Sequence, residues 1–149
     1  MGLDMYLRAG KYASSYTEPE LYCKIVDVLE AEGLKTSDGG ATVEITVGYW
    51  RKANAIHNWF MELTDEDNCQ PVYVERERLV ELLTVCKNVL EKKDKEVAQD
   101  LLPTTSGFFF GSTEYDEWYW FQVEQTITIL ENILAKTDDN WYFEYQASW

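Results

Sequence analysis

Two patterns of hydrophobic residues alternate along this chain, and each predicts a different kind of element. Apolar and polar residues alternate over 1–7, 43–47 and 141–149, and a period of two is typical of half-buried strands. Helical spacing of apolar residues predicts four long helices and a shorter piece at 95–101; the long stretches are 18–33, 49–63, 75–93 and 112–136. We therefore expect an α+β fold, in which a small antiparallel or mixed sheet of N-terminal, middle and C-terminal strands packs against three to four helices.

The segments that join these elements carry signals of their own. Thr17 and Glu20 stand three residues apart, and this spacing predicts a capped helix start. Residues 37–40 and 65–70 are polar and rich in turn-forming types, and they predict a turn and a loop. The apolar run 107–111 begins and ends with a glycine and predicts a buried strand or an extended segment.

The composition is that of a folded and strongly acidic protein. Hydrophobic residues make up 46% of the chain and no linker or repeat interrupts it, so residues 1–149 are expected to form a single compact domain. Lys and Arg number 13 and Asp and Glu number 27, which gives a net charge of −14. So acidic a chain repels phosphate backbones, which disfavours direct nucleic-acid binding. No run of about 18 apolar residues is present, so no membrane association is expected.

The acid excess is unevenly distributed along the chain. Residues 107–149 contain eight acidic residues and Lys136 as their single base, so they carry −7 of the net charge. A solvated helix face explains this skew, and so does a docking surface for a basic partner. Glu117 and Glu124 are predicted to share one side of the last helix, where such a surface would lie.

The cysteines are Cys23, Cys69 and Cys86, an odd number without a Cys-x-x-Cys pair. This pattern argues against a disulfide framework and against a zinc site, and it favours a reducing cytoplasm. Cys86 stands at helical spacing among leucines and is predicted to be a small core residue.

Polar and aromatic residues form a stripe beside the apolar face of the predicted helix 49–63. The stripe consists of Trp50, Asn54, His57 and Met61. A helix that needs only burial does not require such a stripe, so one interpretation is a pocket wall with Arg51 or Lys52 at its rim. The other interpretation is a half-buried His–Asn pair that serves packing alone.

A second unusual stretch runs from Gly107 to Trp120. The predicted strand in it delivers the chain to a helix start where Ser112 and Thr113 are followed by several acids. Free N–H groups at a helix start can hold an anion, but these acids would repel a phosphate. The same carboxylates are suited to Mg²⁺ or Ca²⁺, or to pairing with Arg51 and His57. A capped helix with ordinary acids in its first turn explains them equally well.

Several blocks of this sequence resemble one family of small proteins encoded by bacteriophages and prophages. The resemblance rests on the opening 1–7 (Met-Gly-Leu-Asp-Met-Tyr-Leu), on 48–60 with its Tyr-Trp-Arg-Lys-Ala-Asn, on 101–104, on 107–119 and on the closing 145–149. It implies a virus-encoded accessory protein that works in the cytoplasm of a bacterial host cell. The family has no assigned activity, so the resemblance implies origin rather than chemistry.

These observations leave three functions open. The first is a non-enzymatic binder that inhibits a host or defence protein with a basic surface, through an acidic, aromatic-rich surface. The second is a pocket protein that binds, sequesters or processes a nucleotide-like small molecule. The third is a hydrolase that uses His57 with Glu114 or Asp116, which no recognised catalytic motif supports, so no enzyme activity, cofactor or metal is expected. The candidate partner- or ligand-binding residues are Trp50, Arg51, Asn54, His57, Phe109, Ser112, Glu114, Tyr115, Asp116 and Glu117.

Overall fold

The computed structural model describes residues 2–37, 39–64 and 69–149. Within these ranges the elements follow the order β1 (Asp4–Ser14), α1 (Pro19–Ala31), β2 (Gly40–Arg51), α2 (Asn54–Met61), β3 (Val72–Val74), α3 (Arg76–Lys92), α4 (Lys95–Leu101), α5 (Glu117–Lys136) and β4 (Tyr142–Ser148). Residue 1, residue 38 of the predicted turn and residues 65–68 of the predicted loop lie outside the described residues.

The four strands form one antiparallel sheet in the order β2-β1-β4-β3. The first strand of the sequence, β1, lies in the middle and pairs with β2 along its whole length and with β4 from Asp4 to Gly10. The predicted α+β fold is confirmed. The described part of the chain holds five helices, one more than the upper number expected.

The two faces of the sheet differ in burial and in chemistry. Met5, Leu7 and Ala9 of β1 are fully buried on one face, where the hydrophobic core lies. Tyr6 and Arg8 alternate with them and are half-buried on the other face. Alternation of this kind is expected for an antiparallel sheet that is covered by helices on one side.

Helices α3 and α5 form the main cover of the core face. Leu79, Leu82 and Cys86 of α3 are fully buried, which confirms the prediction for Cys86, and Val123 and Leu130 of α5 are buried with them. Helix α1 differs, since no residue in it is buried. The apolar side of α1 contacts β1 and β2 but is not buried against them. The amphipathic pattern of this segment therefore suggested more burial in the core than the structure shows.

Three local predictions were wrong. The predicted helix over 49–63 begins only at Asn54, because β2 continues to Arg51 and Lys52 turns the chain at a φ of 54°. Residues 107–111 form a turn rather than a strand, with Phe108 92% exposed. The Thr17 hydroxyl does not cap α1; it contacts the backbone N–H and the hydroxyl of Ser14 instead.

Among the residues described, no helix is both long enough and apolar enough to cross a membrane.

Candidate functional site

The side chain of Asn54 joins α2 to the segment that precedes α5. Its amide nitrogen donates to the carbonyl oxygen of Phe110 at 3.1 Å and to that of Ser112 at 2.8 Å. Its oxygen accepts from the backbone N–H of Thr105 at 3.3 Å. Asn54 is 2% exposed, so these bonds replace water at three backbone groups of an irregular segment. The segments 49–63 and 107–120 therefore contact each other here, through the side-chain amide of Asn54 rather than through oppositely charged side chains.

His57 lies one helical turn further along α2, inside an aromatic cluster. Its Nδ1 is 2.8 Å from the hydroxyl oxygen of Tyr145, and its ring packs edge-on against Phe110 and Trp149. Burial raises the pKa of Tyr145 well above its ordinary value of 10.0, so this hydroxyl keeps its proton at neutral pH. The contact is therefore a hydrogen bond between the imidazole and a protonated phenol within the core.

Trp50 is fully buried on β2, not on a helix. Its indole N–H donates to the Thr126 hydroxyl at 2.9 Å, and that hydroxyl donates in turn to the carbonyl of Gln122. Since Trp50, Asn54 and His57 are each at most 2% exposed, they form no accessible pocket wall. The hydrogen bonds described for Trp50, Asn54 and His57 go to groups inside the fold.

Phe109, Ser112 and Tyr115 shape the segment between α4 and α5. The carbonyl of Phe109 accepts from the N–H of Leu3, which ties the turn to the start of the chain. The Ser112 hydroxyl accepts from the N–H of Glu114, and the Tyr115 hydroxyl accepts from the N–H of Thr104. These contacts fix the course of the backbone between α4 and α5.

The acidic candidates divide into a cap and exposed carboxylates. Asp116 precedes α5, and its carboxylate accepts from the N–H groups of Trp118 and Tyr119. Glu114 and Glu117 are exposed. Among the ion pairs of the described residues, none joins Arg51 to Glu114 or Asp116. The backbone carbonyl of Arg51 instead accepts from the Gln122 side chain at 3.0 Å.

The carboxylates of this region do not gather into a metal centre. In residues 2–37, 39–64 and 69–149, no group of three or more His, Cys, Asp or Glu side chains is arranged to hold a metal ion.

The exposed aromatic pair of α5 was not among the binding residues predicted from the sequence. The rings of Trp118 and Phe121 stack with centroids 5.3 Å apart, and the two residues are 48% and 49% exposed. Glu117 and Glu124, also exposed, lie on the same side of α5 because residues three, four and seven apart are neighbours on a helix. We call these four residues the α5 outer face. Its sequence signal was two large aromatics that fall outside the helix's buried stripe.

The α5 outer face lies along one edge of the sheet. Gln122 and Gln125, which flank it on the helix, donate side-chain hydrogen bonds to the carbonyls of Arg51 and Tyr49 in β2. The predicted register puts Val123 and Ile127 on the core face of α5; Val123 is buried and Ile127 half-buried, whereas Glu117 and Glu124 are exposed. The start of α5 is thus fixed by the Asp116 cap and by two contacts to β2.

Comparisons of the chain with protein-family models, with curated proteins and with solved structures found no match. The fold and the surface together define the class: an antiparallel sheet covered by helices on one face, which presents an acidic and aromatic helix face to solvent.

Proposed function

We propose that this chain is a bacteriophage- or prophage-encoded accessory protein that works in the bacterial cytoplasm without catalysis, by binding and inhibiting a host or defence protein. The observation that carries the proposal is the exposed, stacked pair of Trp118 and Phe121, with Glu117 and Glu124 beside it. The viral origin rests on the sequence resemblance.

The chemistry of the α5 outer face suits a partner that is basic and partly apolar. Burial of a large aromatic side chain contributes about 1.5–3 kcal/mol, so two adjacent aromatics are an effective anchor. Stacking holds the two rings in place before binding, which lowers the conformational entropy lost on association. The neighbouring carboxylates add attraction to Lys and Arg side chains and speed the encounter.

The burial of Trp50, Asn54 and His57 speaks against a nucleotide-like ligand held by their side chains. Trp50 and His57 use their ring nitrogens on Thr126 and Tyr145, and neither ring is accessible to stack on a base. Binding there would require the core to open. The α5 outer face needs no such rearrangement, so it supports a protein partner better.

The proposal is tested by capture from a bacterial lysate with matched variants. The affinity-tagged wild-type chain is compared with W118A/F121A and with E117K/E124K, and bound proteins are quantified by mass spectrometry. E91K/E96K makes the same change of charge at exposed positions on α3 and α4, and Y16A/Y73A removes two exposed rings elsewhere. A specific partner is one that the wild type and both control variants retain and that both α5 variants lose.

The identified partner is then titrated against the chain at several salt concentrations. We expect binding to weaken markedly between low salt and about 0.5 M, mainly through slower association, because exposed charges are screened. A partner retained by W118A/F121A and E117K/E124K, or a complex insensitive to salt, would refute docking through this face. A nucleotide-like molecule whose binding is lost in R51A and kept in E117K would establish the second function instead.

A further inference from the structure

Strand β2 is an edge strand whose outer side is covered over only part of its length. At its C-terminal end, Gln122 and Gln125 of α5 bond to the carbonyls of Arg51 and Tyr49, so these backbone groups point away from β1. A bulge follows at Leu7/Arg8, where the register changes from Leu7–Gly48 to Arg8–Thr46. Because β1 keeps its alternation across the bulge, the backbone groups of Thr46, Glu44 and Thr42 also point outward.

The N-terminal half of β2 has the features of a strand that accepts another strand. Residues 40–47 read Gly-Ala-Thr-Val-Glu-Ile-Thr-Val, without Pro or Lys and rich in β-branched types. Thr42, Glu44, Ile45 and Thr46 are all exposed, and in the described residues β2 pairs with β1 alone. Proteins commonly block such edges with charge, Pro or a bulge, and none of these stands between Gly40 and Thr46 except Glu44.

The side chains in the N-terminal half of β2 suit pairing with the same segment of a second copy of this chain. Ile45 pairs with Ala9, so it lies on the core face of the sheet, yet it is 58% exposed. Val43, opposite Lys11, is half-buried on the same face. An apolar row along an open backbone edge is complementary to a second strand that carries the same row.

We propose that two copies of this chain associate through their β2 edges, antiparallel, with the twofold axis at Ile45. In this register Ile45 faces Ile45 of the second copy, Val43 faces Val47, and Glu44 faces Thr46, so no like charges stand opposite each other. The carboxylate of Glu44 is already engaged, since it lies 3.9 Å from the Arg8 side chain and accepts from the Tyr142 hydroxyl. A register centred one residue earlier places Glu44 against Glu44 and is disfavoured. Pairing extends the sheet to eight strands.

Sedimentation equilibrium of the wild-type chain measures the association directly. We expect a concentration-dependent dimer within about 1–500 μM, which I45K weakens at least about tenfold. V80K, which introduces the same side chain at a 46% exposed position on α3, leaves the dimer intact. T46P is the second variant: its outward N–H is not used within the sheet, so folding is retained while the intermolecular bond is lost. Circular dichroism verifies the fold of each variant.

Cysteine crosslinking tests the register. Facing residues of this kind have Cα atoms about 4.5 Å apart, which permits a disulfide. In a background without the exposed thiol of Cys23 (C23S), I45C is expected to give a covalent dimer on mild oxidation. V43C is the matched control, since position 43 of one copy lies about 13 Å along the strands from position 43 of the other.

The salt dependence of dimer formation differs from that of binding to a basic partner through α5. Two copies of net charge −14 repel each other, so added salt strengthens the dimer, whereas it weakens docking of a basic partner. A wild-type chain that stays monomeric over the whole range, or V43C crosslinking as readily as I45C, would overturn the proposal. Either outcome leaves the binding function of α5 untouched.

Discussion

Nδ1 of His57 and the hydroxyl oxygen of Tyr145 lie 2.8 Å apart in the core, and they connect α2 to the sheet. The Tyr145 ring also stacks on Phe60 at 4.1 Å, so its apolar part and its hydroxyl have separate roles. The single histidine of the chain is 2% exposed, so this contact holds its ring inside the fold.

Tyr145→Phe removes the hydroxyl and keeps the aromatic ring, so it tests the hydrogen bond alone. We expect the free energy of unfolding to fall by about 1–3 kcal/mol, because a buried ring nitrogen loses its partner while the stack on Phe60 remains. Urea denaturation measures this as a lower midpoint with an unchanged slope. Tyr73→Phe, at a 65% exposed ring, is the control and should leave the midpoint in place. Equal effects of the two variants would show that the bond contributes nothing to stability.

Asn54→Ala removes the link between α2 and residues 105–112. Three backbone groups lose their partner, and we expect a loss of about 2–4 kcal/mol in unfolding free energy. Hydrogen exchange should show faster exchange of the Thr105 amide and its neighbours. Asn58→Ala changes a half-buried residue of the same helix and is expected to have a much smaller effect. Unchanged exchange in the Asn54 variant would contradict the linking role.

Alanine variants of Asp116 and Glu114 distinguish a carboxylate that caps α5 from one that is only exposed at the surface. Asp116→Ala should destabilise the protein by about 1 kcal/mol, because two N–H groups at the start of α5 lose their acceptor. Glu114→Ala, at an exposed position, should stay within about 0.5 kcal/mol of the wild type. Thermal unfolding of the two variants checks the difference, and the reverse order would place the cap at Glu114.

The thiol of Cys86 gives a pH dependence with a definite sign. Burial raises its pKa from 9.0 to about 12, so the folded chain keeps the proton that the unfolded chain releases. The stabilisation is fully present below pH 9 and falls as the pH rises toward 12, by up to about 1.4 kcal/mol per pH unit. The unfolding free energies of wild type and Cys86→Ala should therefore converge as the pH rises from 9 toward 12.

Buried tyrosines also destabilise the fold in alkali. Because the charge of the Cys86 thiolate contributes to the raised pKa of Tyr119, the difference between the two proteins reports the thiol together with its effect on Tyr119. Cys23→Ser, at an exposed position, is the control and should run parallel to the wild type. A constant gap between wild type and Cys86→Ala across this pH range would show that the thiol ionises alike in both states.

The long helices and the fold class could be predicted from the sequence because their signals are local. Helix α3 was expected over 75–93 and occupies Arg76–Lys92, since its leucines repeat at helical spacing and face the core. The end of α5 at Lys136 was predicted for the same reason. A long helix that buries one side repeats apolar residues at helical spacing over several turns, and a short segment has too few residues to show this repeat.

Three local features that depend on distant partners or on a rare backbone conformation were not predicted. Trp50 fits a helical stripe with Asn54 and His57, but its conformation is set by pairing with Met5 of β1, 45 positions earlier. The three residues of β3 form a strand only because β4 lies beside them. At Lys52 a non-glycine residue takes a left-handed conformation, and no sequence signal marks such a turn.

The position of β1 between β2 and β4 has a consequence for how the chain is made. Asp4 pairs with Ser148, so the two central strands of the sheet come from opposite ends of the sequence. During synthesis β1 leaves the ribosome long before β4 exists, and Met5 and Leu7, which end fully buried, stay uncovered on one side until then. Folding that waits for such distant contacts is slow, and the growing chain exposes this hydrophobic surface in the meantime.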